Sequence, residues 1–183
     1  MMPMSSLNRT LLAALLLQTG ITYASAPHAA LQVSSSSFVD GGKMPSKLTC
    51  DGANLSPEIQ LSTPPAGTKS FAIVVNDPDA PAAFAHWVAY GIAADTRELP
   101  EGASSASKRL EHATEGINSF GRTGYGGPCP PGGQTHHYVF RIYALDMVPQ
   151  LPVGASADQV NAAIEGHVVA EGRITGVYVR GGD

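Results

Sequence analysis

The sequence predicts a single, predominantly antiparallel β domain with one helix near its C-terminus. Short apolar runs rich in β-branched residues alternate with turn formers along most of the chain. The 183 residues include 20 Gly and 14 Pro, which suits a fold with many turns, and only 14% of them are charged. A helix-start pattern, Ser156-Ala157-Asp158-Gln159, comes late in the chain.

Residues 1–26 are predicted to be a cleaved signal peptide. Their apolar segment, Thr10–Ile21, is mostly Leu and Ala and is shorter than the roughly 20 residues that span a bilayer. Small residues follow it, so cleavage is expected after Ala24 or Ala26. The sequence therefore predicts a protein that is periplasmic or secreted, without a stable membrane anchor, and a single domain over residues 27–183.

The net negative charge of the chain argues against nucleic acid as a binding partner. The full chain has a formal net charge of −4, whereas a protein that grips nucleic acid needs a basic face. We therefore expect no nucleic-acid partner.

The region before residue 70 predicts short strands separated by turns. The expected strands are Leu31–Val33 continued by Phe38–Val39, then Lys47–Cys50, then Glu58–Leu61. Between the last two, Asp51–Pro57 is dense in turn-forming residues.

The next stretch is a buried strand that ends in two acids. Phe71–Val75 is apolar and rich in β-branched residues, and side-chain alternation places Asp77 on the face of its odd-numbered residues. Pro78 has no N–H to donate, so the strand should end there, with Asp77 at its rim and Asp79 beside it if the alternation continues. The following strand, His86–Ile92, opens with an imidazole.

Asp77, Asp79 and His86 form a polar rim at the ends of these two strands. A rigid loop and a long strand later in the chain add further polar residues to this rim. Repeated Gly and Pro over Asn118–Gly133 predict a loop whose backbone can approach a ligand closely. The loop leads into a strand, Gln134–Leu145, on which His136 and Tyr138 share one face and His137 lies on the other.

The C-terminal region predicts the helix and a closing strand. With Ser156 as the N-cap, Val160, Ile164 and His167 fall on one side of a helix of about three turns. Ile174–Val179 then closes the chain as a strand. His167 is expected either to face the core or to close over the polar rim as part of a lid.

The residue types at the rim suggest a small pocket formed by Asp77, Asp79, His86 and His136. A carboxylate pair can bind an ammonium group or share a proton, and an imidazolium can donate to a phosphate, so a small phosphorylated or zwitterionic ligand fits. Other interpretations stay open. The acids could simply end turns while the histidines bond to backbone groups, and the same residue types suit a metal site or a hydrolase. No G-x-S-x-G elbow supports the hydrolase.

Several short motifs of the sequence resemble those of a known protein family. They are Asp77-Pro78-Asp79-Ala80-Pro81, His86-Trp87, Gly127-Pro128-Cys129-Pro130-Pro131 and Thr135-His136-His137-Tyr138. Together with Cys50–Pro57 and Gly166–Ala170, they resemble the phosphatidylethanolamine-binding protein family, and within it the bacterial branch called Raf-kinase-inhibitor-like. The similarity covers most of Leu31–Arg180.

The resemblance implies a large central antiparallel sheet, a smaller sheet and an anion-binding pocket. It also implies which residues bind the ligand: Asp77, Asp79, His86, Pro130, His136 and Tyr138. His137 stands where an Arg is common in the family. The resemblance implies a ligand-binding pocket, and relatives in the bacterial branch suggest a homodimer. We expect a binding protein and not an enzyme, with no cofactor and no metal. The alternative is a secreted inhibitor or interaction protein that uses the pocket rim, and further alternatives are a hydrolase and a metal-dependent enzyme.

Cys50 and Cys129 are the two cysteines of the chain. Export would place them in an oxidising compartment, where disulfides form and persist. We predict that they form a disulfide that braces the pocket loop, and the alternative is two separate buried thiols.

Overall fold

The computed structural model describes residues 29–181, so the predicted signal peptide lies outside the described residues. The elements in chain order are β1 (Ala29–Ala30), β2 (Val33–Ser34), β3 (Gly42–Lys43), β4 (Ile59–Leu61), β5 (Ser70–Asp77), β6 (Phe84–Ala93), β7 (Glu98–Leu99), β8 (Thr114–Glu115), β9 (Thr135–Leu145), α1 (Ala157–Ile164) and β10 (Val168–Val179). Within this range, no helix combines the length and the apolar character that crossing a membrane requires.

Seven strands form the larger sheet, in the order β1-β10-β9-β5-β6-β8, with β3 also paired to β10. The strands from β10 to β8 pair antiparallel, whereas β1 and β3 run parallel to β10. The long strands expected in the middle of the chain are β5, β6 and β9. The prediction of a mainly β fold with a large antiparallel centre is confirmed, and the sheet is mixed only where β1 and β3 join β10.

A smaller sheet contains β2, β4 and β7, paired antiparallel in that order. Its middle strand, Ile59–Leu61, alternates buried and exposed residues, as the sequence pattern predicts for a half-buried strand. The smaller sheet that the family resemblance implied is therefore present.

The two faces of the larger sheet cover different cores. Phe71, Ile73 and Val75 of β5 point into the larger core, which also includes Leu61 of the smaller sheet. Ala72 and Val74 of β5 point into a smaller core that α1 covers. Because Asp77 continues the odd-numbered row, the candidate site lies on the face away from the helix.

One predicted strand is a helical turn instead. Ser46–Leu48 forms a 3₁₀ turn, in which the Leu48 N–H donates to the Pro45 carbonyl at 3.0 Å and the Thr49 N–H donates to the Ser46 carbonyl at 2.9 Å. The prediction of a strand over Lys47–Cys50 is wrong, because Pro45 starts a local turn that satisfies these backbone groups without a partner strand.

The helix is shorter than predicted, although its start is correct. The Ser156 hydroxyl accepts from the Gln159 N–H, and the Gln159 side chain accepts from the Ser156 N–H, so the capping box is present. The helix ends at Ile164, and Gly166 then adopts a φ angle of 78° that a helix interior excludes. The expectation that the helix continues past Gly166 is wrong.

His167 lies outside the helix, and it neither faces the core nor covers the polar rim. Its Nδ1 is 2.8 Å from Asp146 Oδ1, and its side chain is 46% exposed. Helix α1 packs through Val160 and Ile164 on the sheet face opposite the candidate site. The expectations of a core-facing His167 and of a helical lid over the site are therefore both wrong.

Candidate functional site

Asp77, the last residue of β5, lies at the centre of a buried polar cluster. Its side chain is only 5% exposed, and Oδ2 lies 2.7 Å from His136 Nδ1 and 4.0 Å from His86 Nε2. Oδ1 accepts hydrogen bonds from the backbone N–H groups of Asp79 and Ala80, at 2.9 and 3.1 Å. One carboxylate thus ends the strand in a turn and binds a histidine at the same time.

A β-bulge turns His86 towards Asp77. In the pairing of β5 with β6, Val75 lies opposite Trp87 and Asn76 lies opposite Ala85, which leaves His86 as the extra residue. Regular alternation would have placed His86 and Trp87 on opposite faces of the sheet. The bulge therefore brings the imidazole to the same side as the carboxylate.

His86 is held in place by a loop carbonyl and by aromatic rings. Its Nδ1–H donates to the Gly126 carbonyl at 2.6 Å, because a carbonyl oxygen can only accept. The ring centroids of Tyr138 and Phe120 lie 5.0 and 5.4 Å from the imidazole centroid. Burial lowers the pKa of His86 below its ordinary value, so the neutral ring is favoured near pH 7.

Strand β9 contributes His136 and Tyr138 on one face, as its alternation predicts. The His136 side chain is 7% exposed and keeps its Nδ1 on Asp77. Tyr138 is fully buried, and its hydroxyl has no hydrogen-bond partner among the described residues. Burial raises the pKa of Tyr138 far above its ordinary value, so the phenol stays protonated and able to donate.

Asp79 and His137 form a separate pair at the edge of the cluster. Asp79 Oδ2 accepts from the His137 backbone N–H at 2.7 Å and lies 2.7 Å from His137 Nδ1. Both side chains are well exposed, at 39% and 50%. The hydrogen bond from His137 lowers the pKa of the Asp79 carboxyl group. The two carboxylates therefore each have a histidine partner rather than each other.

The Gly- and Pro-rich loop beside the cluster is fixed by covalent and hydrogen bonds. Cys50 and Cys129 form the predicted disulfide, with their Cα atoms 5.4 Å apart. The Gly127 N–H donates to Asn54 Oδ1 at 2.7 Å. Pro130, which the family resemblance placed in the pocket wall, is buried one residue after Cys129. The structure thus places all six predicted site residues in one region, with four in the buried cluster, Asp79 at its edge and Pro130 in the adjoining loop.

Comparison with known families and structures agrees with this fold. The model of the family described as phosphatidylethanolamine-binding protein matches residues 34–179. The chain belongs to the phosphatidylethanolamine-binding protein family. A relative from Aquifex aeolicus, named UPF0098 protein, is 44% identical over 159 residues, which are 85% of this chain and 92% of the relative.

Two further similar proteins are a solved structure and a relative from another bacterium. The crystal structure of Escherichia coli YbcL is similar with a TM-score of 0.75 and 36% identity, covering 82% of this chain and 99% of YbcL. A Mycobacterium tuberculosis protein named as a candidate lipoprotein, LppC, is 39% identical over 150 residues, which are 81% of this chain and 72% of LppC. The chain therefore has the fold of a family named for ligand binding.

A second set of hydrogen bonds that supports the loop begins at Glu115 of β8, which is 3% exposed. Glu115 Oε1 accepts from Trp87 Nε1 at 2.8 Å and from the Ser104 hydroxyl. The Ser104 oxygen in turn accepts from the Tyr125 N–H at 2.9 Å, and Tyr125 immediately precedes the carbonyl that binds the imidazole. Sequence reasoning missed Glu115 and Ser104, because they lie in a region without strand or helix periodicity.

Aromatic residues at the edge of the cluster were also missed. Phe84 and Phe120 meet edge to face with centroids 4.9 Å apart, and the Arg122 guanidinium lies 5.7 Å from the Phe120 centroid. Phe120 remains 37% exposed. A large aromatic inside a loop of small residues is the signal that could have indicated this apolar rim.

Asp and His side chains, which make up most of the cluster, are also common metal ligands. In the part of the chain from residue 29 to 181, no group of three or more His, Cys, Asp and Glu side chains is arranged to hold a metal ion. Both Nδ1 atoms of the buried histidines already bond to protein groups. The polar groups of the cluster can bind a ligand through hydrogen bonds.

Proposed function

We propose that this protein is an exported binding protein whose pocket takes a small anion such as phosphate or a phosphorylated head group. One observation carries the proposal: Asp77 binds His136 at 2.7 Å and faces His86 at 4.0 Å inside a buried cluster that also contains the unpartnered Tyr138 hydroxyl. The proposed role is binding rather than turnover of the ligand.

The cluster can offer an anion one hydroxyl group and, when the two imidazoles are protonated, one N–H group from each ring. His86 and His136 use their Nδ1 atoms for Gly126 and Asp77, which leaves Nε2 of each ring for a ligand. Buried hydroxyl groups nearly always have a hydrogen-bond partner, so the Tyr138 hydroxyl supports a ligand or water oxygen beside it. Because the chain carries a net charge of −4, these local donors must supply the attraction.

Three observations support export of the protein. The first 26 residues have the pattern of a signal peptide, the two cysteines are joined in a disulfide, and one relative is named as a candidate lipoprotein. A periplasmic or secreted location is therefore proposed. The homodimer suggested by the bacterial branch stays a prediction.

Calorimetric titration of the mature chain with inorganic phosphate and with phosphoethanolamine tests the anion pocket. The affinity should rise as the pH falls from about 8 to about 6, because protonation converts a free imidazole nitrogen from acceptor to donor. His86→Ala should weaken binding by roughly tenfold or more, the value of a hydrogen bond to a charged group. Asp79→Asn should strengthen it by removing a nearby negative charge.

His167→Ala is the matched control, because His167 is half exposed, lies in the turn between α1 and β10, and pairs with Asp146 rather than with the cluster. This variant should bind phosphate as the wild type does. Thermal unfolding followed by circular dichroism checks that His86→Ala is folded. A folded His86→Ala with unchanged affinity, or an affinity that increases with pH, would contradict the proposed pocket chemistry.

A specific observation also favours the second candidate, an inhibitor or interaction protein that uses the rim. Phe120 is 37% exposed beside the cluster, with its ring centroid 5.4 Å from that of His86, and an apolar rim around a polar centre is typical of a protein-binding surface. Phe120→Ser and His86→Ala together separate the two roles. Phe120→Ser should abolish binding of a protein partner and should also weaken phosphate binding, because its ring packs against His86. His86→Ala leaves Phe120 in place and should weaken phosphate binding alone.

A further inference from the structure

A second cleft lies at the opposite end of β6 from His86. It opens between the segment 93–100 and the segment 108–112 and has a volume of about 430 Å³. Small-molecule sites in proteins typically fall between about 300 and 1,000 Å³. The cleft is therefore large enough for a small ligand, and it is separate from the proposed anion pocket.

The floor of the cleft is part of the larger hydrophobic core. Ile92, Leu99, Ala103 and Leu110 line it, and each is at most 7% exposed. The core thus reaches the base of a surface cleft. An apolar floor of this kind favours a ligand with an apolar body.

The walls of the cleft are fixed by short-range hydrogen bonds. The Thr96 N–H donates to the Ala93 carbonyl at 3.0 Å, and the Ser105 N–H donates to the Lys108 carbonyl at 2.9 Å. The Lys108 N–H also donates to Ser105 Oγ at 3.1 Å. Both wall segments are therefore held as closed turns, and the cleft is pre-formed.

The rim of the cleft concentrates unpaired negative charge. Asp95, Glu98 and Glu111 line it, and within residues 29–181 none of these carboxylates has an ion-pair or hydrogen-bond partner. Most acids elsewhere in this range do have partners, for example Glu101 with Lys47 at 2.9 Å. The other unpartnered carboxylates of the described chain, Asp158 and Glu165, belong to helix α1 and its C-cap.

The nearby arginines form no ion pair with the rim carboxylates in the described chain. Arg97 turns its guanidinium onto carbonyls of its own wall, at 2.8 and 3.0 Å. Arg109 donates to the Ser105 carbonyl at 2.9 Å and lies 3.8 Å from Glu115. Lys108 and His112 are the basic residues among the lining side chains, against three carboxylates. The rim therefore complements a positive charge.

We propose that this cleft binds a small amphipathic cation, an ammonium group carried on an apolar aliphatic or aromatic body. The apolar body would lie on the Leu99 and Leu110 floor, and the ammonium group would lie among the rim carboxylates. This site does not depend on the proposed anion pocket, because it lies at the other end of β6 and uses none of the same residues.

A titration with phenethylamine, followed by ¹H–¹⁵N NMR of the mature chain, tests the proposal. Saturable shifts should appear in the amides of residues 92–99 and 108–112 and not around Asp77. Two matched probes share the aromatic body, 2-phenylethanol without charge and phenylacetate with a negative charge. Both should bind more weakly than phenethylamine if the rim carboxylates contribute.

Variants of the cleft complete the experiment. Glu98→Gln and Glu111→Gln should each weaken phenethylamine binding by roughly twofold to fivefold, as expected for exposed ion pairs. Glu165→Gln removes the same charge from another unpartnered glutamate, outside the cleft, and should leave binding unchanged. Ala93→Trp, at an exposed position of the wall, should fill the cleft and abolish binding.

Several outcomes would overturn this assignment. One is the absence of saturable shifts at the cleft, and another is phenylacetate binding as well as phenethylamine. Equal losses in Glu98→Gln and Glu165→Gln would show that only overall charge matters. Shifts of the same amides that grow with protein concentration, without any probe, would show that a second copy of the chain occupies the cleft instead.

Discussion

The two ends of strand β6 hold their charged side chains in different ways. At the His86 end, the nearby carboxylates Asp77, Asp79 and Glu115 all have hydrogen-bond partners. At the Ala93 end, the carboxylates around the cleft have none in the described chain. The first end has polar groups fixed in one arrangement, whereas the second has an apolar floor with free charges above it.

This difference indicates how each end would recognise a ligand. A fixed polar cluster selects by hydrogen-bond geometry, and a change in any supporting group should alter it. An apolar cleft with solvated charges selects by shape and by charge sign, and single changes there should have small effects. Equal substitutions at the two ends should therefore have unequal consequences.

The largest expected effect is the loss of the disulfide near the His86 end. The variant with Cys50→Ser and Cys129→Ser should lose about 4 kcal/mol of unfolding free energy, because the bond closes a loop with a sequence separation of 79. Urea denaturation measures this loss, and the wild type in reducing buffer should behave like the variant. Amide shifts of residues 92–99 should stay unchanged at the other end. Equal stability of variant and wild type contradicts a bracing role.

The next largest expected effect is a difference in unfolding free energy between glutamine variants of two glutamates, one at each end of β6. Glu115→Gln alters a buried carboxylate that accepts from Trp87 and Ser104, and it should cost roughly 1 to 3 kcal/mol of unfolding free energy. Glu98→Gln makes the same change at the exposed cleft and should stay within about 0.5 kcal/mol of the wild type.

Chemical denaturation of the two glutamine variants compares them directly, and the ¹⁵N shifts of His86 report whether its Nδ1–H still meets the Gly126 carbonyl. A change in the His86 ¹⁵N shifts in Glu115→Gln, but not in Glu98→Gln, would support the role of Glu115 in holding the loop against His86. Equal stability of the two variants would mean that the buried network does not contribute more than the solvated rim.

The smallest expected effect is a difference in pH dependence. Burial lowers the pKa of His86 in the folded state, whereas the unfolded value is about 6.5. Below about pH 6.5 the unfolded chain therefore binds more protons at this residue, and stability falls as the pH decreases, by at most about 1.4 kcal/mol per pH unit. The hydrogen bond to the Gly126 carbonyl and the nearby Asp77 charge both raise the pKa of His86, but burial is the larger cause.

His86→Gln should remove this part of the pH dependence. His112→Gln, at an exposed residue of the cleft, should leave the wild-type profile intact. Unfolding free energies measured by urea titration between about pH 5 and pH 8 provide the comparison. A wild-type profile that runs parallel to that of His86→Gln would exclude His86 as the source.

Much of the fold and of the site followed from local patterns in the sequence. Two-residue periodicity placed Asp77 on the core face of β5 and put His136 and Tyr138 together on β9, because a strand fixes which side chains share a face. The disulfide between Cys50 and Cys129 followed from predicted export and from the small number of cysteines.

The features that the sequence did not reveal depend on contacts between distant segments. The bulge at His86 exists only in the pairing of β5 with β6, so no single strand could indicate it. Glu115 gains its role from Ser104 and Trp87, which are remote from it along the chain. The helix end was missed because Gly166 can either continue a helix at a cost or end it with a positive φ angle.

The bond between Cys50 and Cys129 also makes the middle of the chain a covalent ring. Asp77 and His86 lie inside the ring, whereas His136 and Tyr138 lie outside it. A protease that cuts the exposed stretch around residue 107 once would open the ring but would not release a fragment. The nicked molecule would migrate as one species without reductant and as two with it. In a compartment rich in proteases, the two halves of the candidate site therefore stay tethered after a first cut.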